Sequence, residues 1–170
     1  VKYYVDKHLL PIKIGAQDIS IFEEGAYTGE INGKQIREFA EYVIVGHSER
    51  RENFREDYEI LKKKVERARQ YDLEPIFCVQ DKETPLPDNV SFVAYEPVYA
   101  IGTGHPDTPE HANEVADVYR NERNIYYLLY GGSVTRNNAH AFTQLPHING
   151  FLVGGASLDP EEFMGIITNA

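Results

Sequence analysis

A chain of 170 residues, 42% of them apolar, is long enough for one folded domain with a buried core. Its 17 Lys and Arg are outnumbered by 27 Asp and Glu, so the formal net charge is −10. Nucleic acid and anionic membrane are therefore poor partners, although backbone N–H groups can still bind an anionic small substrate.

Cysteine content and hydropathy further restrict the class of protein and the compartment in which it works. The single cysteine, Cys78, excludes an intramolecular disulfide and a cysteine-based zinc cluster, and it favours a reducing compartment. No apolar run is long enough to span a bilayer, and no charged-then-apolar leader stands at Val1. We therefore expect a cytoplasmic protein without a membrane span; the start at Val1 rather than Met is compatible with processing and equally with a sequence that begins partway into a longer protein.

Apolar periodicity predicts helices that alternate with strands. Val1–Leu10 has helical spacing that ends at Pro11, and Asn53–Tyr71 is predicted as the longest helix. The other predicted helices are shorter: Gly33–Glu41, Thr108–Asn121, Arg136–Leu145 and Pro160–Ile167. Six strands are predicted: Ile12–Ile19, Tyr42–Gly46, Glu74–Val79, Phe92–Glu96, Asn124–Tyr130 and Ile148–Val153. This alternation indicates parallel βα units.

One connection is too short for the pattern. Only Gln80–Ser91, with two prolines, separates the third predicted strand from the fourth. A helix hardly fits there, so we expect a loop.

The stretch Val93–Gly104, VAYEPVYAIGTG, carries the strongest chemical signal. It delivers one carboxylate, Glu96, to the end of an apolar strand and continues through Pro97 into a glycine-rich loop. This arrangement suits a general base beneath a segment able to hinge. Taken alone, the same residues could equally form a salt-bridged strand end and an ordinary surface loop.

Three further segments change that balance: YVIVGHSERR at Tyr42–Arg51, YLLYGGSV at Tyr127–Val134 and GFLVGGASL at Gly150–Leu158. With the Glu96 segment, in this order, they resemble the triosephosphate isomerase family from about Ile12 onwards. The resemblance implies a TIM (β/α)8-type barrel, here incomplete with about six βα units, as a single partial domain over residues 1–170. It also implies an aldose-ketose isomerase of glycolysis and gluconeogenesis that interconverts dihydroxyacetone phosphate and glyceraldehyde 3-phosphate through an enediolate, without cofactor or metal.

By resemblance, Glu96 is the catalytic base and His47 the electrophile. The residues Ser48, Glu49 and Arg51 would lie behind these groups, and Cys78 would pack near the base. Taken alone, the HSERR segment could simply start a helix with a capping serine.

The same resemblance implies a phosphate site and a subunit contact. Glycine-rich turns at the ends of the last strands let backbone N–H groups approach a phosphate, which points to Gly102, Ser133, Gly154 and Gly155. The loop GAYTGEI would insert into the second subunit of a homodimer, where Thr28 reaches the partner's active site. A plain surface loop is the simpler interpretation of these residues.

The sequence also departs from the family. No segment resembles the lysine-bearing end of the family's first strand. Tyr99 stands where the family usually has Trp, and His105-Pro106-Asp107 replace residues of the Lys-Thr-Ala type. An alternative is therefore a truncated relative that binds phospho-sugars or assists barrel assembly without turnover.

Overall fold

The computed structural model describes residues 1–100 and 106–170; the predicted phosphate-site residue Gly102 and His105, the first of the three residues that depart from the family pattern, lie outside them. The chain divides into two compact units. The first unit comprises Val1–Phe77 and Leu86–Val90, and the second comprises Cys78–Pro85 and Ser91–Ala170.

The first unit alternates short helices with parallel strands. Its helices are α1 (Lys2–Lys7), α2 (Gly33–Arg37), α3 (Ser48–Phe54) and α4 (Tyr58–Gln70). Its strands are β1 (Gly15–Ala16), β2 (Tyr42–Val45) and the first four residues of β3 (Glu74–Val79). Strand β2 pairs in parallel with both others, with Gly15 opposite Tyr42 and Val45 opposite Phe77. The core of this unit lies between β2, β3 and α4, where Val43, Leu61 and Phe77 are fully buried.

The prediction of one long helix over Asn53–Tyr71 is wrong. Arg55 adopts a left-handed conformation with φ +55° and ends α3, and the Asp57 side chain caps α4 by accepting the Ile60 N–H at 2.9 Å. Between them Glu56 is buried and accepts hydrogen bonds from Arg50 and Lys64. Tertiary pairing of this carboxylate thus breaks a segment whose apolar spacing alone favours a continuous helix.

The second unit continues the alternation after the last two residues of β3. Its strands are β4 (Phe92–Tyr95), β5 (Tyr127–Tyr130) and β6 (Gly150–Phe151). Its helices are α5 (Pro109–Arg123), α6 (Ala139–Thr143), a 3-10 turn at Gly155–Leu158 and α7 (Pro160–Asn169). The strands β4, β5 and β6 pair in parallel in chain order, with Tyr95 opposite Tyr130 and Tyr130 opposite Phe151. At 15 residues α5 exceeds the 13 of α4.

Five of the six strands are shorter than predicted, because only residues in register with a neighbouring strand form the ladder. Strand β3 has the predicted bounds. At β6, hydrogen bonds of the Asn149 and Leu152 amides to β5 carbonyls continue one residue beyond each end. The apolar runs therefore extend past the paired residues into the connections.

The predicted loop between β3 and β4 is confirmed, since no helix forms within Gln80–Ser91. The first part of the loop is fastened by α5. Tyr119 donates its hydroxyl to the carbonyls of Asp81 at 2.7 Å and Thr84 at 3.0 Å, and Arg123 donates to the Thr84 carbonyl at 2.9 Å. These side-chain donors satisfy backbone carbonyls of the loop, which has no helical hydrogen bonds of its own. Among the described residues, no helix has the length and apolar character needed to cross a bilayer.

Candidate active site

Glu96 is held at the carboxyl end of β4. It is 1% exposed, and its backbone N–H donates to the Val79 carbonyl at 2.7 Å, which continues the pairing between β4 and the end of β3. Cys78, the residue before Val79, is also fully buried. The structure therefore places this carboxylate in a buried position at the strand end, away from bulk water.

The turn after β5 lies against Glu96. The Gly131 N–H donates to the Tyr95 carbonyl at 2.7 Å, and a Cβ atom built on Gly131 would lie 3.1 Å from the Glu96 Cγ and 3.1 Å from that carbonyl oxygen. At Gly132, an added Cβ would approach the Tyr130 hydroxyl to 2.2 Å. The double glycine therefore allows the turn to approach the carboxylate and the tyrosine more closely than side chains would permit.

Asp107 collects hydrogen bonds beside the same strand ends. Its carboxylate accepts from the Tyr95 hydroxyl at 3.0 Å and lies 2.7 Å from His111 Nδ1, and its N–H donates to the Tyr130 hydroxyl at 2.9 Å. Burial alone would raise the pKa of Asp107, but hydrogen bonds from His111, Tyr99 and Tyr95 outweigh it and lower the pKa. Burial raises the pKa of Tyr95 far above its ordinary value and that of Tyr130 to about 12. Sequence analysis did not single out the chemistry of this cluster.

The residues predicted to bind phosphate lie in different environments. The Ser133 hydroxyl donates to the Ala100 carbonyl at 2.7 Å, which ties the β5 turn to the segment after Glu96. Gly154 and Gly155 are exposed at the start of the 3-10 turn after β6, and added Cβ atoms there would meet no atom of residues 1–100 or 106–170 within 4 Å. Ser133 is thus hydrogen-bonded to a neighbouring segment, whereas no described residue crowds the two glycines.

In the first unit, His47 stands between β2 and α3. It is the N-cap of α3, and its Nδ1 accepts the Glu49 N–H at 3.3 Å. An imidazole nitrogen that accepts a hydrogen bond carries no proton, so this geometry assigns the neutral tautomer with the proton on Nε2. The histidine is therefore arranged as a hydrogen-bond donor through Nε2.

The neighbours of His47 fill distinct places. Ser48 is buried in the first turn of α3, whereas the Glu49 side chain is 76% exposed. Arg51 donates through Nε to the Gly46 carbonyl at 2.7 Å and lies over the Phe77 ring at 5.5 Å, so it links α3 to the ends of β2 and β3. Gly46 has φ +78°, a conformation that favours glycine at this strand end.

A cluster of four charges lies behind this region and was missed by sequence analysis. Lys64 contacts Asp18 at 2.5 Å and Glu56 at 2.6 Å, and Arg50 contacts Glu56 at 2.7 Å and Asp18 at 2.9 Å. The two cations balance the two carboxylates. Lys64 occurs on the apolar side of α4, and a basic residue at such a position is the only sequence signal for the cluster.

Thr28 lies at the tip of an exposed loop. The Tyr27 carbonyl accepts the Glu30 N–H at 3.0 Å, Gly29 has φ +93°, and the Phe22 and Tyr27 rings stack at 4.1 Å. The loop encloses a cavity of about 350 Å³ lined partly by Glu23, Glu24 and Glu30. In the described residues, no group of three or more His, Cys, Asp or Glu side chains could hold a metal ion.

Comparison with known proteins identifies the family. The sequence model of triosephosphate isomerase matches residues 2–90 and 86–170, which together span nearly the whole chain. The chain belongs to the triosephosphate isomerase family. The triosephosphate isomerase of Mesomycoplasma hyopneumoniae strain 232 is 41% identical over 181 residues, covering 94% of this chain and 75% of the relative. That of Dictyoglomus turgidum is 40% identical over 200 residues, covering 96% and 80%.

A solved structure gives the same result. The crystal structure of triosephosphate isomerase from Bartonella henselae superposes with a TM-score of 0.84 at 31% identity, covering 99% of this chain and 81% of that one. The predicted fold class, an incomplete TIM-type barrel with six parallel strands in the described residues, is confirmed.

The family comparison also bears on the short connection. The 181 aligned positions of the Mesomycoplasma relative exceed the 170 residues of this chain, so that triosephosphate isomerase has residues without a counterpart here. The two stretches matched by the family model meet at residues 86–90, inside the loop between β3 and β4.

Proposed function

We propose that this chain interconverts dihydroxyacetone phosphate and D-glyceraldehyde 3-phosphate, with Glu96 as the base and His47 as the electrophile. The observation that carries the assignment of the base is the buried carboxylate of Glu96 at a strand end, in a chain of the triosephosphate isomerase family. The reaction is a step of glycolysis and gluconeogenesis, which fits a cytoplasmic location.

The chemistry of the base follows from its position. Isomerisation removes a proton from one carbon of the triose and returns it to the adjacent carbon, through an enediolate. Glu96 is held by its backbone N–H and packed against Gly131, so its carboxylate has little freedom to move away. A buried, fixed carboxylate suits this transfer because one group must both accept and return the proton.

His47 would polarise the substrate carbonyl. With Nδ1 occupied by the Glu49 N–H, Nε2–H is the donor that can stabilise the oxygen of the enediolate. A neutral histidine at a helix N-terminus is already the known arrangement in triosephosphate isomerase. The placement of Ser48 and Arg51 around His47 supports the same role, because both fix the start of α3.

The phosphate would bind to backbone groups of the glycine-rich turns. Gly154 and Gly155 support this because they are exposed at the beginning of a 3-10 turn with open space above them. Ser133 supports it indirectly, since its bond to Ala100 holds the β5 turn in place. Gly102 enters this proposal on the family motif.

Two further features belong to the proposal. The chain would act as one partial barrel domain over residues 1–170. It would form a homodimer in which the loop around Thr28 contacts the partner; the exposure of Thr28 at the loop tip supports this.

Incubation of the purified chain with dihydroxyacetone phosphate in deuterated water tests the function. We expect glyceraldehyde 3-phosphate labelled with deuterium, because the base exchanges its proton with solvent. Glu96→Gln should lower the rate by at least about 10³-fold, while Glu110→Gln, at an exposed position of α5, serves as the control. Isomerisation that survives Glu96→Gln would refute the assignment of the base. Absence of isomerisation and exchange in the folded wild-type chain would refute the function itself and favour a phospho-sugar binder.

A further inference from the structure

We propose that the carboxylate of Asp107 is a positioning residue for Glu96, acting through the hydroxyl of Tyr95. The proposal rests on the proposed function of Glu96 as the base.

Tyr95 immediately precedes Glu96 and is held at both ends. Its hydroxyl donates to Asp107 Oδ2 at 3.0 Å, and its backbone carbonyl accepts the Gly131 N–H at 2.7 Å. The residue is 1% exposed, so its hydroxyl has no access to bulk water as a substitute partner. Because Tyr95 and Glu96 share a peptide unit, holding the tyrosine at both its hydroxyl and its carbonyl restrains the backbone that carries the base.

Asp107 is itself rigidly placed. Its Oδ1 accepts the Thr108 N–H at 2.8 Å, its Oδ2 lies 2.7 Å from His111 Nδ1, and the residue is 7% exposed. These donors favour the ionised carboxylate, which accepts a stronger hydrogen bond than a neutral group would. The carboxylate thus connects the start of α5 to the end of β4.

The chemical consequence concerns geometry. Proton transfer depends on the distance between the carboxylate and the reacting carbon, and a misplacement of about 1 Å can reduce the rate by about 10²-fold. Loss of the Asp107 carboxylate removes one restraint on Tyr95 and leaves the substrate contacts intact. We therefore expect an effect on kcat with KM nearly unchanged.

Four variants test this: Asp107→Ala, Asp107→Asn, Tyr95→Phe and the double variant Tyr95→Phe/Asp107→Ala. We expect kcat to fall by about 10-fold to 100-fold in Asp107→Ala, with KM within about two-fold of wild type. Asp107→Asn, whose amide oxygen can still accept the tyrosine hydroxyl, should recover part of the loss. The double variant should be no slower than the worse single variant, because both changes remove the same hydrogen bond.

The control is Asp117→Ala. Asp117 also pairs with a histidine in the second unit, at 3.1 Å from His147 Nε2, without contacting Tyr95. Equal kcat in Asp107→Ala and Asp117→Ala, or multiplying losses in the double variant, would overturn the proposal. If Asp107→Ala does not fold, a wild-type kcat in Tyr95→Phe would overturn it equally.

A measurement that does not depend on turnover tests the positioning role of Asp107 separately from the isomerase function. Amide hydrogen exchange at Glu96 and Gly131 should accelerate by at least about 10-fold in Tyr95→Phe and Asp107→Ala relative to Asp117→Ala. An inactive wild-type chain that shows this acceleration would refute the isomerase function and keep the positioning contact. Unchanged exchange would refute the positioning contact whether or not the wild type is active.

Discussion

The Lys64 ammonium lies 2.6 Å from the Glu56 carboxylate, and each side chain is only 5% exposed. The second Glu56 oxygen is buried and has no hydrogen-bond partner among the residues that the structure describes. Attraction within the pair must therefore offset the desolvation of both groups. Removal of one partner would leave an uncompensated buried charge.

Lys64→Met should destabilise the chain by about 3 to 5 kcal/mol, because Glu56 and Asp18 would then share Arg50 alone. Urea unfolding measures the change. Lys62→Met, at an exposed position of the same helix, is the matched control and should change stability by less than about 0.5 kcal/mol. Equal effects of the two substitutions would show that the buried pair contributes nothing particular.

Gly131→Ala should impair catalysis more than stability. The added Cβ would lie 3.1 Å from the Glu96 Cγ, so the base must move by a few tenths of an ångström. We expect kcat to fall by about 10-fold or more, measured by isomerisation of dihydroxyacetone phosphate.

Gly150→Ala is the matched control for this glycine. Among the described residues, its added Cβ would meet the Leu129 Cδ2 alone, at 3.4 Å, which is an ordinary contact. We expect nearly wild-type kcat there. Wild-type activity in Gly131→Ala would mean that the proximity to Glu96 has no bearing on the reaction.

The sequence was informative where a local pattern decided the outcome. The bounds of β3 were predicted correctly because all six residues of the predicted strand belong to the sheet. Glu96 was recognised as a strand-end carboxylate, and the structure buries it there. The loop between β3 and β4 was predicted from the length and the proline content of Gln80–Ser91 alone.

Contacts between distant residues escaped prediction. The predicted helix is interrupted at Arg55, next to the buried Glu56, which pairs with Lys64 eight residues away. Hydrophobic periodicity gives no sign of such a pair. Asp107 and Tyr95 are 12 residues apart, one just before the N-cap of α5 and the other at the end of β4, and their hydrogen bond forms only once the fold brings these two positions together. Such pairs require the fold before they can be named.

Arg55→Gly should stabilise the chain. Arg55 ends α3 with φ +55°, where a Cβ atom is strained by about 1 kcal/mol and glycine is not. Greater backbone freedom of glycine in the unfolded chain offsets part of the gain, so we expect about 0.5 kcal/mol in urea unfolding. Arg37→Gly, at the last residue of α2, is the control and should destabilise. A loss of stability in Arg55→Gly would show that its side chain contributes more than the strain it causes.

Tyr119 makes the stability of the chain sensitive to alkaline pH. Burial raises its pKa from 10 to about 12, against the opposing charge of Arg123. A pKa raised on folding contributes stability that is complete below the ordinary value and is lost as pH rises from 10 through about 12. The contribution is on the order of 2 kcal/mol. It reflects the cost of forming a phenolate at this buried position.

Tyr119→Phe should therefore be less stable than wild type by about 1 kcal/mol at pH 7, because the Asp81 carbonyl loses the tyrosine donor and the Thr84 carbonyl keeps Arg123 alone of its two donors. The difference should shrink above pH 10, since the wild-type hydroxyl then ionises and can no longer donate. Urea unfolding at pH 7, 9 and 11 measures it, with Tyr126→Phe, whose ring is 71% exposed, as the control for general alkaline effects. A stability difference between Tyr119→Phe and wild type that stays constant to pH 11 would show that the Tyr119 hydroxyl does not stabilise the chain through its hydrogen bonds to the loop between β3 and β4.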